Sequence, residues 1–132
     1  MFIYYRIDLT PNTLLLPIIF IIQLATMIGV TLATSSLYVY YRDIGQLIPV
    51  LLTIWMYACP IIYPISAVPD WLLPWYMLNP MAFAISGYRQ VLLLGETPNL
   101  LEMVFALVVS TIILVVGALI FVKLEDQFAD LI

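Results

Sequence analysis

The sequence predicts an all-α integral membrane protein with about three transmembrane helices plus a re-entrant or interfacial helical hairpin. Three observations carry this. Hydrophobic residues make up 65% of the chain and charged residues 9%, against roughly 45–50% and about 25% in soluble domains. The mean hydropathy is +1.15, and a chain of this size cannot hide so much apolar surface in one core. The charges are also clustered. None falls between Asp8 and Arg42, between Asp43 and Asp70, or between Glu102 and Lys123, and each gap is long enough for the 20 or so apolar residues of a crossing.

The elements follow in order. Met1–Leu9 is short and aromatic and reads as an interfacial stub, with no signal-peptide pattern. Thr10-Pro11 suits a helix start, and the first crossing is expected over about 11–37, with Pro17 in its first turns. Ala25, Gly29, Ala33 and Ser36 place small residues at roughly four-residue spacing, a face that another helix can approach closely. Tyr38, Tyr40 and Tyr41 then mark a membrane boundary, and Asp43 with Gln46 resembles a capping box. The second crossing is expected over about 47–65. Pro49 fits its first turn, and Cys59-Pro60 with Pro64 breaks its far end.

Residues 66–95 do not read as a span. Pro69, Pro74 and Pro80 interrupt them, and two short helices are expected. Asn79 caps the second, Pro80 opens it and Gly95 closes it. At 1.5 Å per residue this helix is roughly 22 Å long, too short to cross. Asn99 with Glu102 caps the last crossing, about 99–122, and a polar tail of 123–132 follows. Charge does not orient the chain, because Arg42 and Lys123 on one side balance Arg6 and Arg89 on the other.

The residue types limit the chemistry. There is no histidine, one cysteine and a net charge of −4. No phosphate-binding glycine loop or nucleophilic triad occurs, so the chain reads as a non-enzyme needing no cofactor or metal. The acidic balance argues against a nucleic-acid partner. No ionisable side chain falls at mid-span, which argues against a proton-driven carrier. Trp55, Tyr57 and Tyr63 lie deep; they either line a path or pack between helices. On a continuous helix Tyr57 and Tyr63 stand about 120° apart, so both can border a broad groove, with ring stacking indifferent to the hydroxyls. Arg89 either meets a phosphate or snorkels to the interface.

The run Leu37-Tyr38-Val39-Tyr40-Tyr41-Arg42-Asp43-Ile44-Gly45-Gln46-Leu47 resembles the signature loop of type-2 ABC exporter permeases for polysaccharides such as O-antigen, capsule or teichoic acid. Trp55-Met56-Tyr57, Pro60-Ile61-Ile62-Tyr63-Pro64, Leu78-Asn79-Pro80-Met81 and Glu125-Asp126-Gln127-Phe128-Ala129-Asp130 resemble further stretches of that family in the same order. The resemblance covers the C-terminal half of a six-crossing permease, so a truncated or partial subunit is expected. It implies a bacterial or archaeal cytoplasmic (inner) membrane, a separate ATPase subunit, a second permease copy, a lipid-linked glycan as cargo and contact with membrane lipid. It places Tyr40, Tyr41, Arg42, Asp43 and Gln46 at a cytoplasmic gate facing the ATPase. Trp55, Tyr57, Pro60, Tyr63 and Pro64 would border the path, and Trp71, Asn79, Pro80 and Arg89 would lie in an outer hairpin. An exporter of drugs or small lipids, or a non-transporting scaffold, remains an alternative.

Overall fold

The computed structural model describes residues 11–41 and 43–128. The expected interfacial stub, Thr10, Arg42 and the end of the tail lie outside the described residues. Among the described residues all regular structure is helical. A 3-10 turn, Pro11–Leu15, leads into α1 (Leu16–Tyr40). Pro17 stands at the start of α1, where its missing N–H costs no intrahelical bond. After a tight turn come α2 (Ile44–Tyr57), a 3-10 turn at Ile65–Ala67, and the short α3 (Leu73–Met77). Then follow α4 (Pro80–Arg89), a π turn (Gln90–Leu94) and α5 (Leu100–Phe128).

Two helical stretches are long and apolar enough to cross a membrane: Pro11–Tyr40 with 30 residues and Leu100–Glu125 with 26. Large side chains such as Val104, Val108, Ile112, Val116 and Leu119 stand exposed along α5, as lipid contact requires. Asn12 Nδ2 donates to the Gly95 carbonyl at 2.7 Å, a separation of 83 residues. At the other end of α1 the Tyr40 hydroxyl donates to the Leu124 carbonyl at 3.3 Å, a separation of 84 residues. Nearly equal separations at both ends mean that α1 and the α5 segment run in the same direction. The chain between them must therefore recross.

The α1–α5 seam explains their close pairing. Ile19, Ile22, Thr26, Gly29 and Ser36 of α1 are buried, as are Met103, Ala106, Ser110 and Gly117 of α5. These positions advance by three, four or seven residues, the spacing of a helix–helix seam. Of the expected four-residue stripe, Gly29 and Ser36 lie in the seam, while Ala25 and Ala33 stand half-exposed and Thr26 takes the buried place. The buried hydroxyls remain satisfied within their own helices. Thr26 donates to the Ile22 carbonyl and Ser36 to that of Leu32, both at 2.8 Å; in lipid each polar group needs such an internal partner. At Gly29 a Cβ would lie 2.6 Å from the Ile113 carbonyl oxygen.

The return path is split. Helix α2 has 14 residues, about 21 Å, and stops short of the expected 65. The reason is local: proline at 60 and again at 64 cannot continue the i→i−4 ladder, and the residue before a proline avoids the helical region. Pro49 sits inside α2, beyond the first turn where it was expected. The carbonyl that its ring crowds belongs to Gly45, so no side chain adds to the crowding there. The α2 start also differs from expectation. Asp43 makes no side-chain cap bond; instead its backbone carbonyl accepts from the N–H groups of Gln46 (3.1 Å) and Leu47 (3.4 Å).

The hairpin forms as two short helices. Asn79 Oδ1 accepts from the Met81 N–H at 3.1 Å and caps α4. Gly95 ends the π turn at φ 67°, a left-handed conformation suited to glycine. Asn99 caps α5 by accepting from the Leu101 N–H at 3.0 Å.

Candidate functional site: a broken helix pinned by a hairpin

A helix that stops inside a membrane exposes carbonyls that water cannot reach. Here the hairpin supplies the missing donors. Asn79 Nδ2 donates to the Ala58 carbonyl at 3.4 Å and to Cys59 Sγ at 3.4 Å. Arg89 donates to the Pro60 carbonyl at 3.2 Å and the Tyr63 carbonyl at 3.5 Å. The Tyr63 hydroxyl lies 2.6 Å from the Tyr57 carbonyl, to which it donates, and 2.6 Å from the Tyr76 hydroxyl. Trp55 Nε1 donates to Asn79 Oδ1 at 3.2 Å. Asn79, Arg89 and Tyr76 from the hairpin, with Tyr63 itself, thus hold the segment that connects α2 to α3, and Trp55 ties the last turn of α2 to Asn79.

The structure brings together Trp55, Tyr57, Pro60, Tyr63, Asn79 and Arg89 from the sequence-based set. Pro60 is buried, and Pro80, also buried, opens α4. Tyr57 presents its ring outward, 59% exposed. The helical angle assumed for Tyr57 and Tyr63 does not apply, because the helix ends at Tyr57. Tyr63 uses its hydroxyl in the pin, so that atom is not idle. Pro64 is exposed, and Trp71 is 75% exposed, as suits a boundary anchor. Arg89 is half-buried and bonds backbone carbonyls.

The remaining set lies at the opposite end of α2. Tyr41 is 65% exposed, and Asp43 and Gln46 are exposed, whereas the Tyr40 hydroxyl reaches across to α5. The Tyr38 ring lies over Gly45, where a Cβ would stand 2.6 Å from Cε2. This close fit fixes the angle of the α1–α2 turn.

A groove of about 430 Å³ opens between α1, α2 and α4, lined by Gln23, Thr26, Met27, Trp55, Cys59 and Met81 among others. Of the five expected path residues, Trp55 lines it. Sequence reasoning missed Gln23, whose Oε1 accepts from the Tyr88 hydroxyl at 2.8 Å. An amide inside an otherwise apolar span was the available signal, since such groups hydrogen-bond between membrane helices. Tyr76 and Cys59 are both buried against the pin. No cluster of three or more potential metal ligands occurs among the described residues.

Long apolar helices, a split return helix and a short capped hairpin define an all-helical membrane protein. The chain belongs to the ABC-2 type transporter family, whose description matches residues 1–93. It is similar to the O-antigen export system permease protein RfbA of Myxococcus xanthus, 28% identical over 123 residues. That match covers 92% of this chain and 47% of the relative. A permease of the same name from Klebsiella pneumoniae is 27% identical over 120 residues, covering 89% of this chain and 45% of the relative. The chain therefore spans a little under half the length of these relatives.

Proposed function

We propose that this chain is a transmembrane subunit of an ATP-driven exporter of lipid-linked polysaccharide. The observation that carries the reading is its similarity, over about nine-tenths of its length, to permeases named for O-antigen export. In this reading ATP hydrolysis belongs to a separate subunit, and two permease copies enclose the glycan. The chain lies in the bacterial or archaeal inner membrane, with its crossings over about 11–37, 47–65 and 99–122. The segment around Tyr40, Tyr41, Arg42, Asp43 and Gln46 faces the ATPase on the cytoplasmic side, and the hairpin of 66–95 sits near the outer face. Helix α2 supports this reading, since its 14 residues and the pinned segment after it lead from the α1–α2 turn to the hairpin.

Replacing the residues equivalent to Arg42 and Asp43 with Asn in a full-length relative tests the reading. Exposed opposite charges contribute about 0–1 kcal/mol to stability, so membrane expression should stay near that of the native protein. Export and stimulation of the partner ATPase should both fall sharply. Undiminished export and ATPase stimulation would remove the turn from the transport machinery.

A further inference from the structure

We propose that Asn79 is a positioning residue that locks the hairpin helix α4 to the broken end of α2, so that a displacement of α2 carries α4 with it. The transmission half of this rests on the permease reading; the lock itself does not.

Asn79 Oδ1 accepts from Trp55 Nε1 (3.2 Å) and from the Met81 N–H (3.1 Å). Nδ2 donates to the Ala58 carbonyl and to Cys59 Sγ, both at 3.4 Å. Two acceptor sites and two N–H groups are the full inventory of an Asn side chain. The two neighbouring N–H donors also fix which end of the amide is oxygen. Capping α4 needs the acceptor alone, and Ser, Thr or Asp serves as well. Only an amide of this length also donates to the backbone that α2 leaves open.

Helix α2 is held only lightly between its two ends. It buries no residue along its length. Its first turn is held where Tyr38 covers Gly45, and its last turn where Trp55 meets Asn79. A rigid rod fastened at its ends delivers movement from one fastening to the other. Asn79 is the fastening at the hairpin end.

The test uses the full chain in lipid nanodiscs, with Trp71→Phe and Trp75→Phe leaving Trp55 as the reporter. The backbone of residues 58–65 reports by amide hydrogen exchange. Asn79→Ala should shift the Trp55 emission and speed exchange across residues 58–65 about tenfold, the factor expected from losing roughly one hydrogen bond. Asn79→Ser keeps a capping acceptor, stays uncharged and is too short to donate to the broken end of α2, so it should change both readouts as Ala does. If Asn79 merely capped α4, Ser would match Asn in both readouts, and that result overturns the lock. In a complex with the partner ATPase, a Glu96→Cys reporter in a Cys59→Ser background should respond to nucleotide. The response should vanish when Asn79→Ser is added; its persistence overturns the transmission. A native complex with no nucleotide response contradicts the permease reading and transmission together, while the lock is judged on Trp55 and the exchange of residues 58–65.

Discussion

Gly117→Ala should abolish the native pairing of α1 with α5. A Cβ at Gly117 would overlap the carbonyl oxygen of Gly29 and lie 2.8 Å from its carbonyl carbon. Both obstacles are backbone, so no rotamer change relieves them. Overpacking of this kind costs about 3 kcal/mol or more when the backbone itself must move. The seam would have to part where it is tightest, exposing Thr26 and Ser110, both fully buried in the native structure. Gly87→Ala is the matched control. Its Cβ would meet Ile19 Cδ1 at 3.1 Å, the far end of a side chain that can give by a few tenths of an ångström. Thermal midpoints and monodisperse yield in mild detergent should fall steeply for the first variant and little for the second. Equal behaviour of the two would show that the glycine contact does not hold the helices together.

Arg89→Met should loosen the segment between α2 and α3. The guanidinium is the donor nearest the Pro60 carbonyl (3.2 Å) and also reaches that of Tyr63 (3.5 Å). A hydrogen bond to a charged group contributes about 1.5–3 kcal/mol, and the longer contact lies beyond the ordinary N–H···O range. One strong bond and one weak one are therefore lost. Methionine keeps an apolar stem of similar length, so packing changes little and the polar loss dominates. Arg89→Lys should fall between, because a single ammonium satisfies one carbonyl and lacks the planar fork. Limited proteolysis in nanodiscs should cleave residues 58–72 faster in the order Met, Lys, native. Identical rates in all three would remove Arg89 from the pin.

Sequence reasoning found the parts of this fold whose signals are local. Asn79, Gly95 and Asn99 announce helix ends through their own chemistry, and each stands at one. The prolines announced the break after α2, although not its position. What sequence did not carry was the use of distant side chains. That Arg89 and Asn79 donate to carbonyls more than twenty residues away depends on the hairpin folding back. Periodicity says nothing about that. Capping at Asp43 failed for a backbone reason: Asp43 is already helical (φ −67°, ψ −20°), whereas a capping residue takes an extended conformation. Tyr63 was judged by its ring, whereas its hydroxyl bridges Tyr57 and Tyr76. The family resemblance carried the functional class, which residue chemistry alone left open.

The central claim is that the chain makes two full spans joined by a split return whose hairpin does not cross. Single cysteines at Asp43, Asp70 and Glu96, each in a Cys59→Ser background, test it with an impermeant thiol reagent on sealed vesicles of known orientation. The account predicts that Asp70→Cys and Glu96→Cys react from one face and Asp43→Cys from the other. Reaction of Asp70→Cys and Glu96→Cys from opposite faces would contradict it.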